Sequence, residues 1–436
     1  MHASRLMEKL KRGDAIVGIV GLGYVGIPLS LAFARGGLRV IGFDVDAAKV
    51  EKLVTSGSCL RHVPPEQVAN AVAAGLFAAT TRTAVARECD AVIICVPTPL
   101  SKAREPDLSA VTAAAGSLVP HLRDGQLIVL ESTTYPRTTA EVVRPILERS
   151  GLRVPQDLLL AFSPEREDPG NGRYETRTIP KIVGADDPRS RAAAEALYGR
   201  AVDRVVPVSS TRVAELTKLL ENIFRSVNIA LVNELKLLCE RMELDVFEVI
   251  DAAATKPFGF MPFYPGPGLG GHCVPIDPFY LTWKAREYGF ATRFIELAGE
   301  INTAMPGHIV RRVQDALNDR GLALKGARVL VLGVAYKPEV DDVRESPALT
   351  IIELLEAKGA RALFHDPYVP EISCSHGSLC SVPLTDSELA SADCVVIATH
   401  HKTIDYGRVV ELARVVVDTR NATRAVREGR EKIVSA

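Results

Sequence analysis

The sequence lacks the features of membrane-spanning, secreted and nucleic-acid-binding proteins. Its 436 residues contain no run of about 18 apolar residues that would span a bilayer, and the first twenty residues contain no long apolar segment followed by a cleavage site. Lysine and arginine number 52 against 53 aspartates and glutamates, so the net charge is −1. This balance excludes the strong positive charge typical of nucleic-acid or anionic-membrane binding. We therefore expect neither kind of partner.

Cysteine and histidine are sparse and scattered. Neither the eight cysteines nor the nine histidines cluster at the spacing of metal ligands, so no metal site is predicted. In the absence of a secretion signal we expect free thiols in a reducing compartment, which predicts a cytoplasmic protein. What the chain does have is the composition of a soluble globular protein, with 47% hydrophobic and 24% charged residues.

Short apolar runs alternate with helical patterns in the N-terminal half. Ala15–Val20 and Leu38–Phe43 are predicted strands with a helix over Ile27–Arg35 between them, and Ala91–Val96 and Gln126–Leu130 are further strands. Continuous apolar strands of this kind are buried on both faces of a parallel sheet. The pattern predicts an α/β fold with a doubly wound sheet.

The pattern changes near residue 210 and returns after Lys325. Val213–Arg241 has the pattern of one long helix without glycine or proline, and Lys256–Pro278 is too rich in both to be regular structure. From Arg328 the order strand, turn, helix, strand and acid repeats, ending at Asp366. We predict two Rossmann-like parallel-sheet domains joined by a long central helix, with domain ranges 1–209, 210–310 and 311–436.

The segment Gly21–Gly26 (GLGYVG) fits the G-x-G-x-x-G pattern between a strand and a helix, and Asp44 ends the next strand. Glycines allow the tight turn and the close approach of a pyrophosphate, while the acid accepts hydrogen bonds from a ribose and repels a 2′-phosphate. This favours NAD over NADP, and Lys49 would support the adenosine. The alternative is a glycine-rich turn that binds nothing. The predicted NAD-binding residues of this region are Gly21, Gly23, Tyr24, Val25, Gly26, Asp44 and Lys49.

Two further groups of residues are candidates for chemistry. Cys273 follows paired glycines and precedes Asp277 by four positions, as an exposed nucleophile near a carboxylate would, although most cysteines are inert core residues. Lys218 and Asn222 lie four apart on the predicted long helix and therefore share a face. They would supply a base and an oxyanion donor, or else belong to a solvated polar stripe.

Seven ordered motifs resemble the UDP-glucose/GDP-mannose dehydrogenase family along nearly the whole chain. The motifs are GLGYVG, CVPTP (Cys95–Pro99), ESTTYP (Glu131–Pro136), SPERE (Ser163–Glu167), KLLEN (Lys218–Asn222), GGHCVPID (Gly270–Asp277) and GVAYKPEVDDVRES (Gly333–Ser346). Within the family, SPEREDPGN and the long segment around GGHCVPID look like the UDP-N-acetylglucosamine 6-dehydrogenases. Ile276 stands where the UDP-glucose branch usually carries lysine.

The resemblance implies a four-electron oxidation of the C6 alcohol of a UDP-sugar to a carboxylate, with two NAD used in sequence. It implies that Cys273 forms a thiohemiacetal and then a thioester, while Lys218 or a water held by Asp277 acts as base. It also implies that the N-terminal domain binds NAD, the central region dimerises, and the C-terminal domain binds UDP. The implied catalytic residues are Cys273, Lys218, Asn222, Asp277, Glu165 and Thr133; Thr98, Thr133 and Arg344 would contact NAD; Glu165, Arg166, Lys218, Asn222, Lys256, Tyr264, Gly268, Gly270, Tyr336 and Lys337 would contact the sugar nucleotide.

Several alternatives remain open at this point. The substrate would be UDP-N-acetylglucosamine, with UDP-glucose, UDP-N-acetylgalactosamine and UDP-N-acetylmannosamine as alternatives. A two-electron hydroxyacid or alcohol dehydrogenase needs neither Cys273 nor a third domain, and a non-catalytic sensor needs none of the reactive side chains. The resemblance also implies a homodimer or higher homo-oligomer and a role in bacterial surface-polysaccharide (lipopolysaccharide) biosynthesis. His400 and His401 are expected to form a solvated loop pair.

Overall fold

The computed structural model describes residues 2–55, 57, 60, 63–101, 104–167, 175–271, 274–374 and 377–436. These residues form two compact units. The first comprises Met1–Glu221 and Phe279–Phe290, and the second comprises Asn222–Pro278 and Ala291–Ala436. His272 and Cys273 lie outside the described residues.

The first unit is built on an eight-stranded sheet in the order β3-β2-β1-β4-β5-β6-β7-β8. All neighbouring strands are parallel except β6 and β7, which are antiparallel. The strands are β1 (Ile16–Val20), β2 (Arg39–Phe43), β3 (Phe77–Thr80), β4 (Ala91–Ile94), β5 (Leu127–Leu130), β6 (Leu159–Phe162), β7 (Lys181–Gly184) and β8 (Val205–Val208).

Helices accompany this sheet, and apolar side chains from both fill its core. They are α1 (His2–Arg12), α2 (Gly26–Arg35), α3 (Ala47–Thr55), α4 (Pro65–Ala73), α5 (Ser109–Leu118), α6 (Arg144–Leu147) and α7 (Pro188–Tyr198). A π-helical turn covers Thr139–Val143, and short 3-10 turns cover Thr83–Glu88, Val119–His121 and Glu148–Ser150. The doubly wound sheet predicted from the apolar runs is confirmed, with strand ends shifted by one or two residues.

The long helix α8 (Thr211–Arg241) begins in the first unit, and the division between the units falls between its residues Glu221 and Asn222. The predicted central helix is confirmed, and it begins two residues earlier than the apolar pattern indicates. Its first residue is held by Asp186, whose carboxylate accepts hydrogen bonds from the Thr211 amide and hydroxyl at 3.2 and 3.1 Å. Three further helices follow: α9 (Val246–Ala254), α10 (Asp277–Arg286) and α11 (Arg293–Asn318).

The second unit contains a five-stranded, all-parallel sheet in the order β10-β9-β13-β14-β15, with a separate antiparallel pair, β11 and β12. The strands are β9 (Arg328–Leu332), β10 (Arg361–His365), β11 (Glu371–Cys374), β12 (Gly377–Cys380), β13 (Cys394–Ile397), β14 (Val416–Asp418) and β15 (Ile433–Ser435); the helices are α12 (Pro347–Ala357), α13 (Asp386–Ser391) and α14 (Tyr406–Leu412). A 3-10 turn covers Arg430–Lys432. The second Rossmann-like domain is therefore confirmed.

One prediction about the second unit is wrong. His401 is fully buried rather than solvated, and its Nε2 lies 3.2 Å from a carboxylate oxygen of Asp366. The same oxygen accepts hydrogen bonds from the Val334 and Ala335 amides in the turn after β9. A histidine that completes such a buried network cannot be recognised from its neighbours in sequence.

None of the described helices is long and apolar enough to cross a membrane.

Candidate active site

The three glycines of the first turn have different surroundings. Gly21 has a φ of 98°, and a Cβ there would lie 2.7 Å from the Cys95 carbonyl oxygen, while a Cβ on Gly26 would lie 1.9 Å from the Gly21 carbonyl oxygen. A Cβ on Gly23, in contrast, would have no atom of the described residues within 4 Å. The first and third glycines are thus required by the fold itself. The second lies beside space that no described residue fills, close to the start of α2, and the first amides of a helix are suited to bind a phosphate.

Asp44 follows β2 and closes this turn. Its carboxylate accepts hydrogen bonds from the Leu22 amide (2.9 Å), the Asp46 amide (3.0 Å) and the Lys49 ammonium (2.9 Å). Burial by itself would raise the pKa of Asp44, but these hydrogen bonds outweigh it and hold the pKa below its ordinary value. Asp44 is therefore ionised at neutral pH and held in one orientation, which suits it to accept hydrogen bonds from ribose hydroxyls.

Thr98 and Thr133 are joined in the first unit. The Thr98 hydroxyl donates to the Thr133 carbonyl oxygen at 2.8 Å, and the Tyr280 hydroxyl donates to the Thr98 carbonyl oxygen at 2.8 Å. Both threonines follow strands at the carboxyl edge of the parallel sheet, β4 and β5 respectively. Ligands of open α/β sheets bind at this edge.

Lys218 and Glu165 also meet in the first unit. Lys218 on α8 is only 5% exposed, and its ammonium lies 3.6 Å from the Glu165 carboxylate. Burial raises the pKa of Glu165, and the ammoniums of Lys218 and Lys181 offset this only in part. The pair places a buried amine beside a carboxyl group of raised pKa, a combination suited to general acid–base chemistry. The alternative of a solvated polar stripe on α8 is wrong for Lys218.

Arg166 is the neighbour of Glu165. Its guanidinium contacts the Glu221 carboxylate at 2.8 Å and donates to the Pro180 carbonyl oxygen at 2.6 Å. The side chain is therefore held close to α8 by two acceptors. A guanidinium fixed in this way is suited to an anionic substrate group.

A buried ionic network in the same unit was not predicted. Glu131 accepts hydrogen bonds from the Tyr198 hydroxyl (2.6 Å) and from the Lys181 ammonium, and all three side chains are buried. Burial raises the pKa of nearby Glu167 to about 7, and the charge of Glu165 adds to the effect. Glu131 belongs to the ESTTYP motif and Glu167 to SPERE, so the motifs contained the only sequence signal for them.

Asn222 and Asp277 form a hydrogen-bonded pair in the second unit. The Asn222 amide nitrogen donates to the Asp277 carboxylate at 2.5 Å, and the Asn222 amide oxygen accepts from Arg225 at 3.0 Å. Asn222 is 1% exposed and Asp277 is 3% exposed, so Asn222 does not belong to a solvated stripe either. The arrangement fixes the orientation of the Asn222 amide, as an oxyanion donor requires.

The glycine-rich loop of the second unit packs tightly on its surroundings. A Cβ on Gly270 would lie 2.7 Å from Cβ of Tyr336, and one on Gly268 would lie 3.1 Å from Pro347. The Gly271 amide donates to the Arg344 carbonyl oxygen at 3.0 Å. The predicted substrate residues Gly268, Gly270 and Tyr336 thus lie in one packed cluster.

Two residues that position this loop were missed. The Gly266 amide donates to the buried Asn233 side-chain oxygen at 3.0 Å, and a Cβ on Gly266 would lie 2.4 Å from the Arg420 guanidinium. Burial lowers the pKa of Arg420 to about 10. Asn233 and Arg420 are distant from the loop in sequence, so no local pattern could connect them with it.

The other candidates of the second unit are more exposed. Lys256 lies in the exposed segment after α9, with its ammonium 5.0 Å from the Phe258 ring centroid. The Tyr264 hydroxyl donates to Asp251 at 2.7 Å. Lys337 lies beside Tyr336, and the half-exposed Arg344 guanidinium donates hydrogen bonds to both carboxylate oxygens of Asp342.

Three family models match consecutive parts of the chain. They are described as the NAD binding domain (residues 15–202), the central domain (212–304) and the UDP binding domain (330–425) of one dehydrogenase family. The chain belongs to the UDP-glucose/GDP-mannose dehydrogenase family. It is an NAD-dependent nucleotide-sugar 6-dehydrogenase, and the UDP binding domain supports a UDP-sugar as its substrate.

Relatives in this family differ in the sugar they are named for. The UDP-N-acetyl-D-glucosamine 6-dehydrogenase of Pseudomonas aeruginosa is 33% identical over 390 residues, which are 89% of this chain and 91% of that protein. The UDP-N-acetyl-D-mannosamine dehydrogenase of Yersinia pestis is 35% identical over 401 residues, 88% and 93% of the two chains. The solved structure of the UDP-D-ManNAc dehydrogenase of Pyrococcus horikoshii matches with a TM-score of 0.86 and 32% identity, covering 95% of this chain and 96% of that one.

Proposed function

We propose that this dehydrogenase oxidises the C6 alcohol of UDP-N-acetylglucosamine to the uronic acid in a four-electron reaction. The burial of Lys218 and Asn222 on successive turns of α8, each paired with a carboxylate, carries this proposal. Burial of a charged or amide group costs free energy, so paired buried groups of this kind mark a candidate catalytic site. The motifs SPEREDPGN and GGHCVPID favour the UDP-N-acetylglucosamine branch of the family.

NAD would be held by the Gly21–Gly26 turn, Asp44, Lys49 and the threonines Thr98 and Thr133, with Arg344 as a further contact. When bound, it supplies the acceptor for the hydride that leaves the substrate carbon in each oxidation. The open space at Gly23 and the ionised Asp44 support this placement. Lys49 already contacts the carboxylate that would bind the ribose.

In the first oxidation, a base removes the C6 hydroxyl proton as the hydride leaves. Lys218, whose ammonium lies 3.6 Å from the Glu165 carboxylate, is one candidate base, and a water held by Asp277 is the other. Lys218 and Asn222 would stabilise the negative charge that develops on the oxygen. The product of this step is the C6 aldehyde.

Cys273 would trap this aldehyde. Its sulfur forms a bond to the aldehyde carbon to give a thiohemiacetal, which loses a proton and a second hydride to become a thioester. Water then adds to the thioester carbon, the carbon–sulfur bond breaks, and the thiolate and the uronic acid are released. Glu165, Asp277 and Thr133 are the candidates for positioning that water.

The remaining candidates would hold the nucleotide sugar. Arg166 and Lys256 supply positive charge suited to a diphosphate, and Tyr264, Gly268, Gly270, Tyr336 and Lys337 would line the nucleotide-sugar site. We propose that ranges 1–209, 210–310 and 311–436 divide these tasks into NAD binding, dimerisation with catalysis, and UDP binding. The product would serve surface-polysaccharide biosynthesis.

The yield of NADH per sugar consumed tests the reaction, with UDP-N-acetylglucosamine, UDP-N-acetylmannosamine, UDP-N-acetylgalactosamine and UDP-glucose offered in parallel. Two NADH per sugar and fastest turnover of UDP-N-acetylglucosamine are expected. One NADH per sugar would mean that oxidation stops at the aldehyde and that Cys273 lacks its proposed role. Fastest turnover of UDP-N-acetylmannosamine would replace the substrate but keep the chemistry.

We also propose that α8 forms the interface of a homodimer. Leu216, Leu220, Phe224, Leu231 and Leu238 are between 43% and 61% exposed, and their spacing of four and seven residues places them on one face of the helix. An apolar stripe of this length is typical of a protein–protein contact. Light scattering after size-exclusion chromatography should show a dimer that Leu220→Glu weakens and that Val54→Glu, an exposed apolar position on α3, leaves intact.

A further inference from the structure

Glu215 is a fully buried carboxylate on α8 that the proposed chemistry does not use. It precedes Lys218 by three residues, so the two side chains leave neighbouring positions of one helix. Its Oε2 accepts a hydrogen bond from the Arg137 amide at 2.6 Å, and its Oε1 accepts from the Thr139 amide and hydroxyl at 2.8 and 2.7 Å. A single side chain of α8 therefore holds three donors of the segment after β5.

The segment that Glu215 holds is strained at Arg137. This residue has a φ of 83°, in the left-handed region that side chains other than glycine rarely adopt. Its side chain faces the surface and contacts Glu141 at 3.0 Å. Since the Arg137 amide is the group bound by Glu215, the carboxylate stabilises the strained backbone directly. Strain of this kind persists only where the surroundings enforce it, and it clusters at functional sites.

The same segment carries the proposed cofactor contact Thr133. The Thr133 carbonyl oxygen accepts from Thr98, and the Tyr135 ring lies 5.0 Å from the ring of Trp283 on α10. Residues 133–139 thus connect the two threonines at the sheet edge with the carboxylate on α8. Displacement of the Arg137 backbone would move Thr133 relative to Lys218.

A carboxylate fits this position better than its neutral analogue. The three donors occupy both oxygens, and glutamine offers only one oxygen while turning an amide nitrogen toward a donor. Burial raises the pKa of Glu215 to about 7, and the carboxylate of Asp186 adds to the effect. Arg137, the charged side chain of the held segment, pairs at the surface with Glu141, which lies just beyond the segment and also contacts Lys284. The ionised form, which the three donors require, therefore predominates only above about pH 7.

We propose that Glu215 is a positioning residue that fixes the Thr133–Thr139 segment against the helix carrying Lys218. This inference rests on the proposed function for the roles of Thr133 and Lys218. It assigns Glu215 no contact with substrate or cofactor. Its effect on the reaction passes through the Arg137 backbone.

The test combines Glu215→Gln with Arg137→Gly. Glycine adopts a φ of 83° without strain, so Arg137→Gly should leave the activity near the wild-type value and make the segment less dependent on Glu215. Glu215→Gln alone should lower kcat by tenfold or more with little change in the KM for the sugar. The double variant should recover most of that loss. Glu141→Gln, which removes the exposed partner of the Arg137 side chain, is the matched control and should behave like the wild type.

Tryptophan fluorescence gives a readout that is independent of catalysis. Trp283 is the only tryptophan of the chain, and it contacts Tyr135 in the segment concerned. Acrylamide quenching of its emission should increase in Glu215→Gln and return toward the wild-type value in the double variant. If no UDP-sugar yields NADH with the wild type, the proposed function fails, while the quenching series still tests the positioning role.

Three results would overturn the proposal. Glu215→Gln with an undiminished kcat and unchanged quenching would show that the segment keeps its place without the carboxylate. A double variant as impaired as Glu215→Gln would show that relief of the Arg137 strain is irrelevant. If Glu215→Gln fails to fold, Arg137→Gly is compared with the double variant instead. A double variant that is inactive or insoluble would then show that relief of the Arg137 strain does not replace Glu215.

Discussion

Replacement of Gly23 by alanine should separate cofactor binding from folding. A Cβ at this position would meet no atom of the described residues within 4 Å, and Gly23 is not among the residues with positive φ. The free energy of unfolding should therefore change by less than about 0.5 kcal/mol, or rise slightly because alanine restricts the unfolded chain. In the folded protein without ligand, the added methyl group should cause neither a steric clash nor backbone strain.

NAD binding should respond very differently. The second glycine of the turn is where the backbone approaches the pyrophosphate, and a methyl group there would push the phosphates away from the amides at the start of α2. Loss of one or two charge-assisted hydrogen bonds corresponds to about 2 to 4 kcal/mol, or a 30-fold to 1,000-fold weaker affinity. The mutation should thus remove binding without removing stability.

Calorimetric titration of NAD and thermal unfolding with and without NAD measure both effects. Gly26→Ala is the matched control, because a Cβ there would lie 1.9 Å from the Gly21 carbonyl oxygen. This variant should lose roughly 1 to 3 kcal/mol of stability even without NAD. A Gly23→Ala protein that binds NAD as tightly as the wild type would refute the placement of the pyrophosphate at this turn.

Three further changes have defined outcomes. Asp44→Ser should weaken NAD and reduce the rejection of NADP, measured as the ratio of the two Kd values; an unchanged ratio would mean that the ribose is recognised elsewhere. Cys273→Ser should abolish uronic-acid formation while the Kd of NAD stays the same, and undiminished acid would contradict the thioester. Lys236→Met should stabilise the protein at neutral pH by up to about 3 kcal/mol. The buried Lys236 ammonium has no hydrogen-bond partner among the described residues, and burial lowers its pKa from 10.5 to about 8. Below pH 8 the folded state bears the full cost of this charge, and from there toward pH 10.5 the wild type gains stability, so the advantage of methionine in urea titrations should shrink over that range.

Local patterns were sufficient where the physical requirement is itself local. The strand at Ile16–Val20, the glycine turn and Asp44 follow one another within thirty residues, and a buried parallel strand needs a continuous apolar run whatever its neighbours are. The long helix α8 was likewise evident from its uninterrupted pattern. The remaining candidate site residues were identified through the resemblance to a family, because their own spacing in the sequence does not indicate a function.

Residue identity and short-range periodicity were enough to predict the element types, the two α/β repeats and the chemistry that the candidate side chains offer. Which of those side chains are buried, and what they contact, follows from the tertiary structure. In the folded chain the Lys218 ammonium pairs with Glu165, and Glu215 accepts a hydrogen bond from the Arg137 amide. The buried His401 ring contacts the Asp366 carboxylate. These contacts join residues tens of positions apart. Burial and pairing of a charge depend on where the chain returns in space, and no window of sequence contains that information.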